Sequence, residues 1–402
     1  MKRSLLFSSL LLCVNGALNA DSCCPEVTCC PQWGLVPCER FYIAGSYLLS
    51  WFKPGPVDQP LITTGSATDA HPGAIGQPGT RVLFGNDHLH FKTLQGVRVD
   101  MGVFIDPDDH YSLDASGFAI FPNHRRFSFS SDAGGNPVIM HPIVNVLQGI
   151  ERVFAVSFPG VISGNVQVNA KAELFGAELD ATYHLYPRRE ISGDFFVGFR
   201  YANLQEELEY HDHTIPLLPG ALSFFTLPLD PPDSQDVIDK FKTRNQFYGL
   251  QLGGKLRFEK EWFYLHAYGE LGIGATRQTM KISGTTSFNT PTGTFVALGG
   301  DLTAPNTNIG NHHRTLFGLL PEVGVKLGYT PFSWLEFFAG YSFLYWNKVV
   351  RPGGKINRAV NPNLSPANTS VTIPAGPADP TFSFHSNSFW AQFFQIGLGF
   401  CY

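Results

Sequence analysis

The feature of this sequence that most constrains its fold is an alternation of apolar and polar residues with a period of two, repeated along the chain. In LQGVRVDMGVFID, Val97, Val99 and Met101 share one side, while Arg98 and Asp100 share the other. Successive side chains of a β-strand point to opposite faces, so a period of two predicts strands. We expect ten of them, near residues 40–52, 93–106, 110–121, 166–186, 192–208, 241–258, 262–284, 312–330, 334–348 and 388–402.

The connections between these segments alternate strictly between short and long. Four are short turns, near residues 107, 187, 260 and 331, and five are long loops, centred near residues 72, 143, 224, 298 and 368. Short turns at one end and long loops at the other are typical of outer-membrane barrels, whereas a soluble sandwich has no reason to sort its loops. The predicted fold is all-β: a transmembrane antiparallel up-and-down β-barrel of about ten strands, or twelve if region 262–312 adds a hairpin. We expect its turns to be periplasmic and its long loops extracellular.

The beginning of the chain predicts export. Lys2 and Arg3 precede an apolar core at residues 5–14, and small residues lead to Ala20, so we expect a signal peptide over residues 1–20. No run of eighteen apolar residues follows it, and lipid offers no hydrogen bonds to an open backbone. An exported chain of this kind is expected to span a membrane as a closed barrel, which places it in the bacterial (Gram-negative) outer membrane as a multi-pass protein in contact with lipid.

Aromatic residues at strand ends support this interpretation. The last strand, QFFQIGLGFCY, is typical of the signal read by the outer-membrane assembly machinery, and its alternate large residues are Phe394, Ile396, Leu398, Phe400 and Tyr402. Tryptophans near other strand ends are expected at the membrane interfaces, where such rings form girdles: Trp51, Trp262, Trp334, Trp346 and Trp390.

Four longer blocks resemble a known family. YLLSWFKPGPVDQPLITTG at 47–65, GAIGQPGTRVLFG at 73–85, TRNQFYGLQLG at 243–253 and GYSFLYWNKVVRPGGKINRAVNP at 340–362 are similar to the seventh of the families named putative beta barrel porins, from planctomycete and chlamydia-like bacteria. The resemblance runs with gaps from about residue 40 to residue 402. It implies an outer-membrane barrel but no established activity, ligand or catalytic residue, so it assigns no function to any single residue.

Six cysteines are expected at the periplasmic end of such a barrel: Cys23, Cys24, Cys29, Cys30, Cys38 and Cys401. The periplasm is oxidising, so disulfides are the first interpretation, either within the chain or to other envelope proteins. A soft metal site or unpaired thiols are the alternatives. The predicted organisation is therefore a signal peptide over 1–20, a cysteine-rich periplasmic tail over 21–39 and an outer-membrane β-barrel over 40–402.

The polar faces of the strands place ionisable residues toward a barrel lumen. Seven acids, four bases and one histidine are expected there: Arg98, Asp100, Asp114, Glu178, Asp180, Arg200, Lys255, His266, Glu270, Glu322, Lys326 and Glu336. In an open lumen this excess of acids favours cations. The alternative is that these groups pair across a narrow barrel, since eight strands leave a filled interior and sixteen leave an aqueous channel.

These patterns favour porin-like passage of small solutes. The alternatives are a closed structural or adhesin-type barrel that stabilises the envelope, and a less favoured outer-membrane hydrolase. Histidines at 211, 213, 312 and 313 are expected to be solvated loop residues, because a metal site needs three or four partners. The sequence thus predicts no enzyme, cofactor or metal site, and its net charge of −5 predicts no nucleic-acid partner.

Overall fold

A computed structural model describes residues 41–185, 190–225, 227–367 and 376–402. Apart from 3₁₀ turns at Gly353–Lys355 and Pro362–Leu364, the regular structure of these residues is all strand. No helix in these ranges has the length and apolar character needed to cross a membrane. In chain order the strands are β1 Phe41–Phe52, β2 Gly55–Thr64, β3 Arg81–Leu89, β4 Leu94–Phe104, β5 Tyr111–Ser130, β6 Ile139–Asn145, β7 Ile150–Ser157, β8 Ile162–Leu185, β9 Ile191–Pro216, β10 Leu222–Phe224, β11 Leu227–Leu229, β12 Ser234–Lys260, β13 Phe263–Thr290, β14 Gly293–Leu298, β15 Gly310–Phe332, β16 Leu335–Val349, β17 Ala359–Val360 and β18 Asn387–Cys401.

Ten strands close into an antiparallel barrel, as the alternation predicts. Their order is β12-β9-β8-β5-β4-β1-β18-β16-β15-β13, and pairing of β12 with β13 closes the ring. The first and last strands are neighbours, with Tyr42 opposite Cys401. The extra hairpin considered for region 262–312 exists only in part, because β14 pairs with β13 alone and stays outside the barrel. The predicted fold class and ten-strand count are confirmed.

The outward face of the barrel carries an apolar belt that covers only part of its length. On β12 the exposed outward residues include Tyr248, Leu252 and Phe258. Nearer the long loops the same face continues with Arg244, Lys242 and Lys240. The strands β8, β9, β12 and β13 therefore extend well past the belt, with 24, 26, 27 and 28 residues. The large residues of the C-terminal strand lie in the belt, facing outward: Phe394, Ile396, Leu398, Phe400 and Tyr402.

Three of the long loops fold back into the barrel as a second sheet, which we call the inner sheet. Its order is β17-β6-β2-β3, with β7 paired to β6. Its apolar residues, such as Ile62 and Ile143, pack in one cluster with the inward-facing Val168, Leu208 and Met280 of the barrel wall. The mouth of the barrel at its long-loop end is therefore filled by a core of the kind found in soluble proteins.

A second group of inward-facing residues, which we call the apolar layer, fills the lumen at mid-height, and none of them is more than 7% exposed. Its members are Leu48, Phe52, Leu94, Phe118, Ile120, Ala172, Leu174, Ala202, Leu204, Phe247, Leu320, Leu344, Trp346, Val349, Phe389, Ala391 and Phe393. The prediction that Trp346 anchors the membrane interface is wrong. Its side chain is fully buried, and its Nε1–H donates to Thr276 Oγ1 at 2.9 Å, because residue 346 lies on the inward face of β16.

Candidate functional site

A cavity of about 170 Å³ lies in the lumen between the apolar layer and the short turns. The sequence-predicted polar residues lie around it. Ten of the twelve line its wall: Arg98, Asp100, Asp114, Glu178, Asp180, Lys255, His266, Glu270, Lys326 and Glu336. The other two, Arg200 and Glu322, lie directly behind this wall and pair with its members. Period-two alternation brings these groups together because each occupies an inward position on a barrel strand.

The centre of the cluster is Arg200, whose side chain is fully buried. Its Nη1 lies 2.7 Å from Glu270 Oε1, and its Nη2 lies 3.2 Å from Glu178 Oε1 and contacts Glu322 Oε2. Arg98 adds longer contacts of 3.8 Å to Glu178 and to Glu322. A buried charge is tolerated when it is paired and hydrogen-bonded, and here two guanidinium groups are shared among the carboxylates of neighbouring strands.

Three further ionisable side chains near the short turns, Lys326, Glu336 and Asp114, also have partners. Lys326 Nζ lies 3.1 Å from Glu336 Oε1, and the Tyr264 hydroxyl donates to Glu336 Oε2 at 2.6 Å. The Tyr42 hydroxyl donates to Asp114 Oδ1 at 2.8 Å. The lumen at this level thus holds a polar network that encloses a small cavity, and the carboxylates that line this cavity are suitable ligands for a small cation.

One constellation that the sequence analysis missed lies beside this network. Ser112 Oγ is 2.9 Å from His184 Nε2, and His184 Nδ1 is 2.7 Å from Asp194 Oδ1. A serine hydrolase also needs an accessible nucleophile and backbone donors for an oxyanion. Ser112 is 1% exposed, its hydroxyl donates to Asp114 at 2.9 Å, and its backbone lies in the β4–β5–β8 ladder. The arrangement connects three adjacent strands and lacks the geometry for acyl transfer. Only the register of β5, β8 and β9 reveals it, since the three residues are far apart in sequence.

The histidines expected in outer loops lie on strands instead. His211 and His213 point outward from β9, and both rings contact Asp236 Oδ1, at 3.2 and 2.9 Å. Asp212, between them, points inward and meets His141 of the inner sheet at 2.8 Å. His312 and His313 lie on β15, and His312 stacks on Phe382 with ring centroids 4.0 Å apart. The loop assignment is wrong because the strands continue beyond the apolar belt, where their outward faces become polar.

The inner sheet is attached to the barrel wall by a buried ion pair just beyond the apolar layer. Arg351 Nε donates to Glu206 Oε2 at 2.7 Å, and its Nη1 donates to the carbonyls of Lys53 and Pro54 at 3.0 Å each. Asn245 adds two bonds to the backbone of Val350, of 2.9 and 2.7 Å. The loops that enter the lumen are therefore fixed at their bases to β9 and β12.

The lumen thus has three levels along the barrel axis. A charged cavity lies toward the short turns, the apolar layer crosses the middle, and the inner sheet fills the long-loop end. The cysteines at 23, 24, 29, 30 and 38 lie outside the described residues, as do the predicted signal peptide and tail. Cys401 ends β18 at the short-turn end.

Comparison with known proteins identifies one family. The family profile described as Putative beta barrel porin-7 (BBP7) matches residues 43–402. This match confirms the resemblance seen in the sequence blocks. No curated protein matches the chain at a significant level.

Solved structures with some likeness to the chain share little sequence identity with it. The outer membrane protease OmpT from Escherichia coli is 10% identical and has a TM-score of 0.41, with 91% of this chain and 98% of that chain covered. The Pseudomonas aeruginosa FadL homologue is 7% identical with a TM-score of 0.23 and 90% of each chain covered. The Pseudomonas putida toluene transporter TodX is 8% identical with a TM-score of 0.21, covering 90% of this chain and 89% of that chain. At these TM-scores the likeness supports no argument about function.

Proposed function

This chain belongs to the Putative beta barrel porin-7 family, and from that premise we propose that it is an outer-membrane barrel, closed at rest, that passes small solutes when its apolar layer opens. The observation that carries the proposal is the charged cavity directly beneath that layer, inside the part of the barrel that bears the apolar belt. A purely structural barrel has no need for a cavity lined by acidic and basic side chains there.

The belt supports the membrane assignment. Along β12 the outward residues from Tyr248 to Phe258 cover eleven positions, which matches the nine to eleven residues that a tilted strand needs to cross a bilayer. We assign the short turns to the periplasm and the long loops to the outside of the cell. In this orientation the exposed C-terminal face carries the signal for the assembly machinery, and the predicted tail over 21–39 lies in the periplasm.

The charge of the cavity defines the proposed solutes. Six carboxylates line it, from Asp100, Asp114, Glu178, Asp180, Glu270 and Glu336, against the three basic side chains of Arg98, Lys255 and Lys326. Rings of acidic side chains favour cations in pores. A cavity of about 170 Å³ admits only small species, so with this lining we expect small hydrated cations or small cationic metabolites rather than peptides.

The test is single-channel conductance of the refolded protein in a planar bilayer at two salt gradients. We expect the wild type to show rare, small steps with a cation-biased reversal potential. The double variant Trp346→Ala with Phe247→Ala empties part of the apolar layer, so its openings should become frequent and larger. Tyr345→Ala removes an outward-facing ring from the same strand and is the control, for which we expect wild-type behaviour.

Silence from both the wild type and the double variant, with folding and insertion shown independently, would exclude solute passage. Conduction by the double variant alone would mean that the natural layer never opens, which would support a closed barrel. Either result would indicate that the protein acts through its outer surface and not through its lumen.

A second candidate function has its own observation. The tips of the β10–β11 and β13–β14 hairpins share a small cluster around Phe224 and Phe288, and they expose Phe225, Phe295 and Val296, each 43% or more. Contiguous exposed apolar side chains commonly mark interaction sites. They favour a closed barrel that contacts other envelope or surface components, with disulfides from the predicted tail as a further link. We propose no catalytic role, since the described residues place Ser112 out of reach of a substrate.

A further inference from the structure

Three buried ligand-type side chains from distant parts of the chain meet at the interface between the inner sheet and the barrel wall. They are His141 on β6, Asp212 on β9 and Asp301 in the loop after β14, exposed by only 1%, 4% and 6%. One nitrogen or oxygen from each lies within 4.8 Å of the others, and His141 Nε2 is 2.8 Å from Asp212 Oδ2. The site lies at the long-loop end, well beyond the apolar belt.

The imidazole of His141 is oriented as a ligand. Its Nδ1 lies 2.7 Å from the carbonyl oxygen of Leu61, and since a carbonyl only accepts, Nδ1–H must donate. The other nitrogen, Nε2, then faces the two carboxylates. Metal-bound histidines usually show this arrangement, in which a hydrogen bond to one nitrogen fixes the tautomer and directs the other at the ion.

Two polar atoms in this pocket have no hydrogen-bond partner among the described residues. They are Asp212 Oδ1 and the hydroxyl oxygen of Tyr210, which is itself 1% exposed, whereas His141 Nε2 contacts Asp212 Oδ2. Buried polar groups are nearly always satisfied, and such orphans call for an explanation. No ion pair within the described ranges brings a lysine or arginine to Asp212 or Asp301, so the pocket has carboxylates in excess of its cationic groups.

The third ligand is held by a preformed loop. Asp239 Oδ2 accepts from the backbone N–H groups of Asp301 and Leu302, both at 3.0 Å. A Cβ at Gly300 would come within 2.2 Å of Asp239 Oδ1, so this close approach requires glycine there. Asp239 is thus a positioning residue. It fixes the backbone of Asp301, and its hydrogen bonds within the described ranges go to residues 301, 302 and 303, not to His141 or Asp212.

We propose that His141, Asp212 and Asp301 bind one divalent transition-metal ion that ties the inner sheet to the barrel wall. One imidazole nitrogen and two carboxylate oxygens suit borderline ions such as Zn²⁺, and water completes the coordination. Tetrahedral ligands at about 2.0–2.2 Å from the ion are roughly 3.4 Å apart, so the side chains need only small shifts. The ion would connect three segments that are far apart in sequence and would hold the plug in the mouth of the barrel.

The test uses the full-length folded barrel in detergent, with its cysteines alkylated so that thiolates cannot bind metal. After treatment with a chelator, Zn²⁺ is titrated, and bound zinc per chain is measured by elemental mass spectrometry together with the midpoint of thermal unfolding. The wild type should bind one ion tightly and unfold at a higher temperature with zinc than without. The control His211→Gln with His213→Gln removes the exposed imidazoles next to Asp212 and should behave like the wild type.

Asp301→Asn should lose the ion and the stabilisation by zinc. Asp239→Asn keeps all three ligands and should bind about 10- to 100-fold more weakly, as expected for loss of an outer partner. The proposal is overturned if the alkylated wild type binds no zinc, if the histidine control loses the ion, or if Asp301→Asn retains it at wild-type affinity. Should Asp301→Asn fail to fold, the wild type and the control still decide the question.

Discussion

At the scale of single residues, the alternation decides which side chains meet. His211, Asp212 and His213 are consecutive, yet the outer two share Asp236 on the outside of the barrel and the middle one faces His141 inside. From the sequence we expect these residues in a loop after a strand that ends near residue 208, but once the strand continues, its period of two separates them. The sequence cannot predict their partners, since His141 comes from a loop 71 residues earlier that folds back into the lumen.

Lys355 is a buried residue whose charge is poorly compensated. Its Nζ has no hydrogen-bond partner among the described residues, and burial together with the nearby positive charge of Arg314 lowers its pKa from 10.5 to about 8. Between these two values the Lys355 side chain is protonated in the unfolded chain and neutral in the folded chain. The free energy of unfolding should therefore rise with pH across the window from about 8 to 10.5.

We expect Lys355→Met to stabilise the protein at pH 7, where the buried charge is still present, and the gain over wild type to shrink as the pH approaches 10.5. The measurement is the denaturant midpoint of both proteins at several pH values. Lys348→Met changes an exposed lysine nearby and should shift the midpoint little at any pH. A gain for Lys355→Met that does not depend on pH would show that better packing of the apolar side chain, and not removal of the charge, accounts for the effect.

At the scale of elements, the strands combine two environments in one continuous ladder. The outward face of β12 is apolar from Tyr248 to Phe258 and polar from Ser234 to Gln246 except at Ile238, while its backbone pairing with β9 and β13 continues throughout. The sequence analysis begins this strand near residue 241, seven residues after its actual start at Ser234, because an apolar–polar contrast is its only signal. Hydrogen bonding to both neighbours, which leaves no trace in composition, extends the strand beyond that point.

The extent of the apolar belt can be tested by introducing an arginine at two different positions along the barrel axis. Leu252→Arg places a charge on the outward face near the middle of the belt, where it should destabilise the inserted barrel by about 2–4 kcal/mol. Ile238→Arg makes the same kind of change on the same face beyond the belt and should cost about 1 kcal/mol or less. Equilibrium folding into lipid vesicles measures both. Equal costs would mean that the membrane covers more of the barrel than the belt.

The inner sheet marks the limit of what could be predicted. Its strands include Pro56, Pro60 and Pro142 and lack a regular alternation, so the segments were read as plain loops. Trp346 is likewise indistinguishable from an interface aromatic in the sequence, because its burial depends on the barrel being narrow enough to fill. The ten strands, their up-and-down order and the inward positions of Arg200 and Glu270 follow from the period of two and the alternating loop lengths, whereas the plug depends on contacts between loops.

At the scale of the whole molecule, closure of the barrel brings the two ends of the described chain together. Phe41 N–H donates to Tyr402 O at 3.0 Å, and Tyr402 N–H donates to Phe41 O at 2.9 Å. Cys401 lies opposite Tyr42 in the backbone register of β1 and β18 at this seam. Cys38 precedes Phe41 by three residues, and three residues reach about 11 Å at most. The seam therefore places Cys401 within range of the predicted cysteine-rich tail.

We expect a disulfide between Cys401 and a cysteine of the 21–39 segment in protein isolated from oxidising envelopes. Peptide mapping without reductant identifies the linked peptides, and Cys401→Ser should abolish that one link while the barrel still folds. If Cys401 is instead alkylated quantitatively in untreated protein, the tail is not fastened at the seam. A Cys401 link to a different polypeptide would point to cross-linking within the envelope.

The inner sheet also restricts how the sequences of the long loops can vary among relatives. External loops of barrels normally diverge freely, because little depends on them. Here the first, second and fifth loops supply β2, β3, β6, β7 and β17, so a change in one must suit the other two and the wall that they contact. The tip of β13–β14 is free of this constraint, whereas at the β10–β11 tip the backbone N–H of Phe225 donates to the carbonyl of Pro366 in the fifth loop. Among relatives, insertions and rapid substitution should therefore collect at the β13–β14 tip, where a foreign peptide could be displayed without disturbing the barrel.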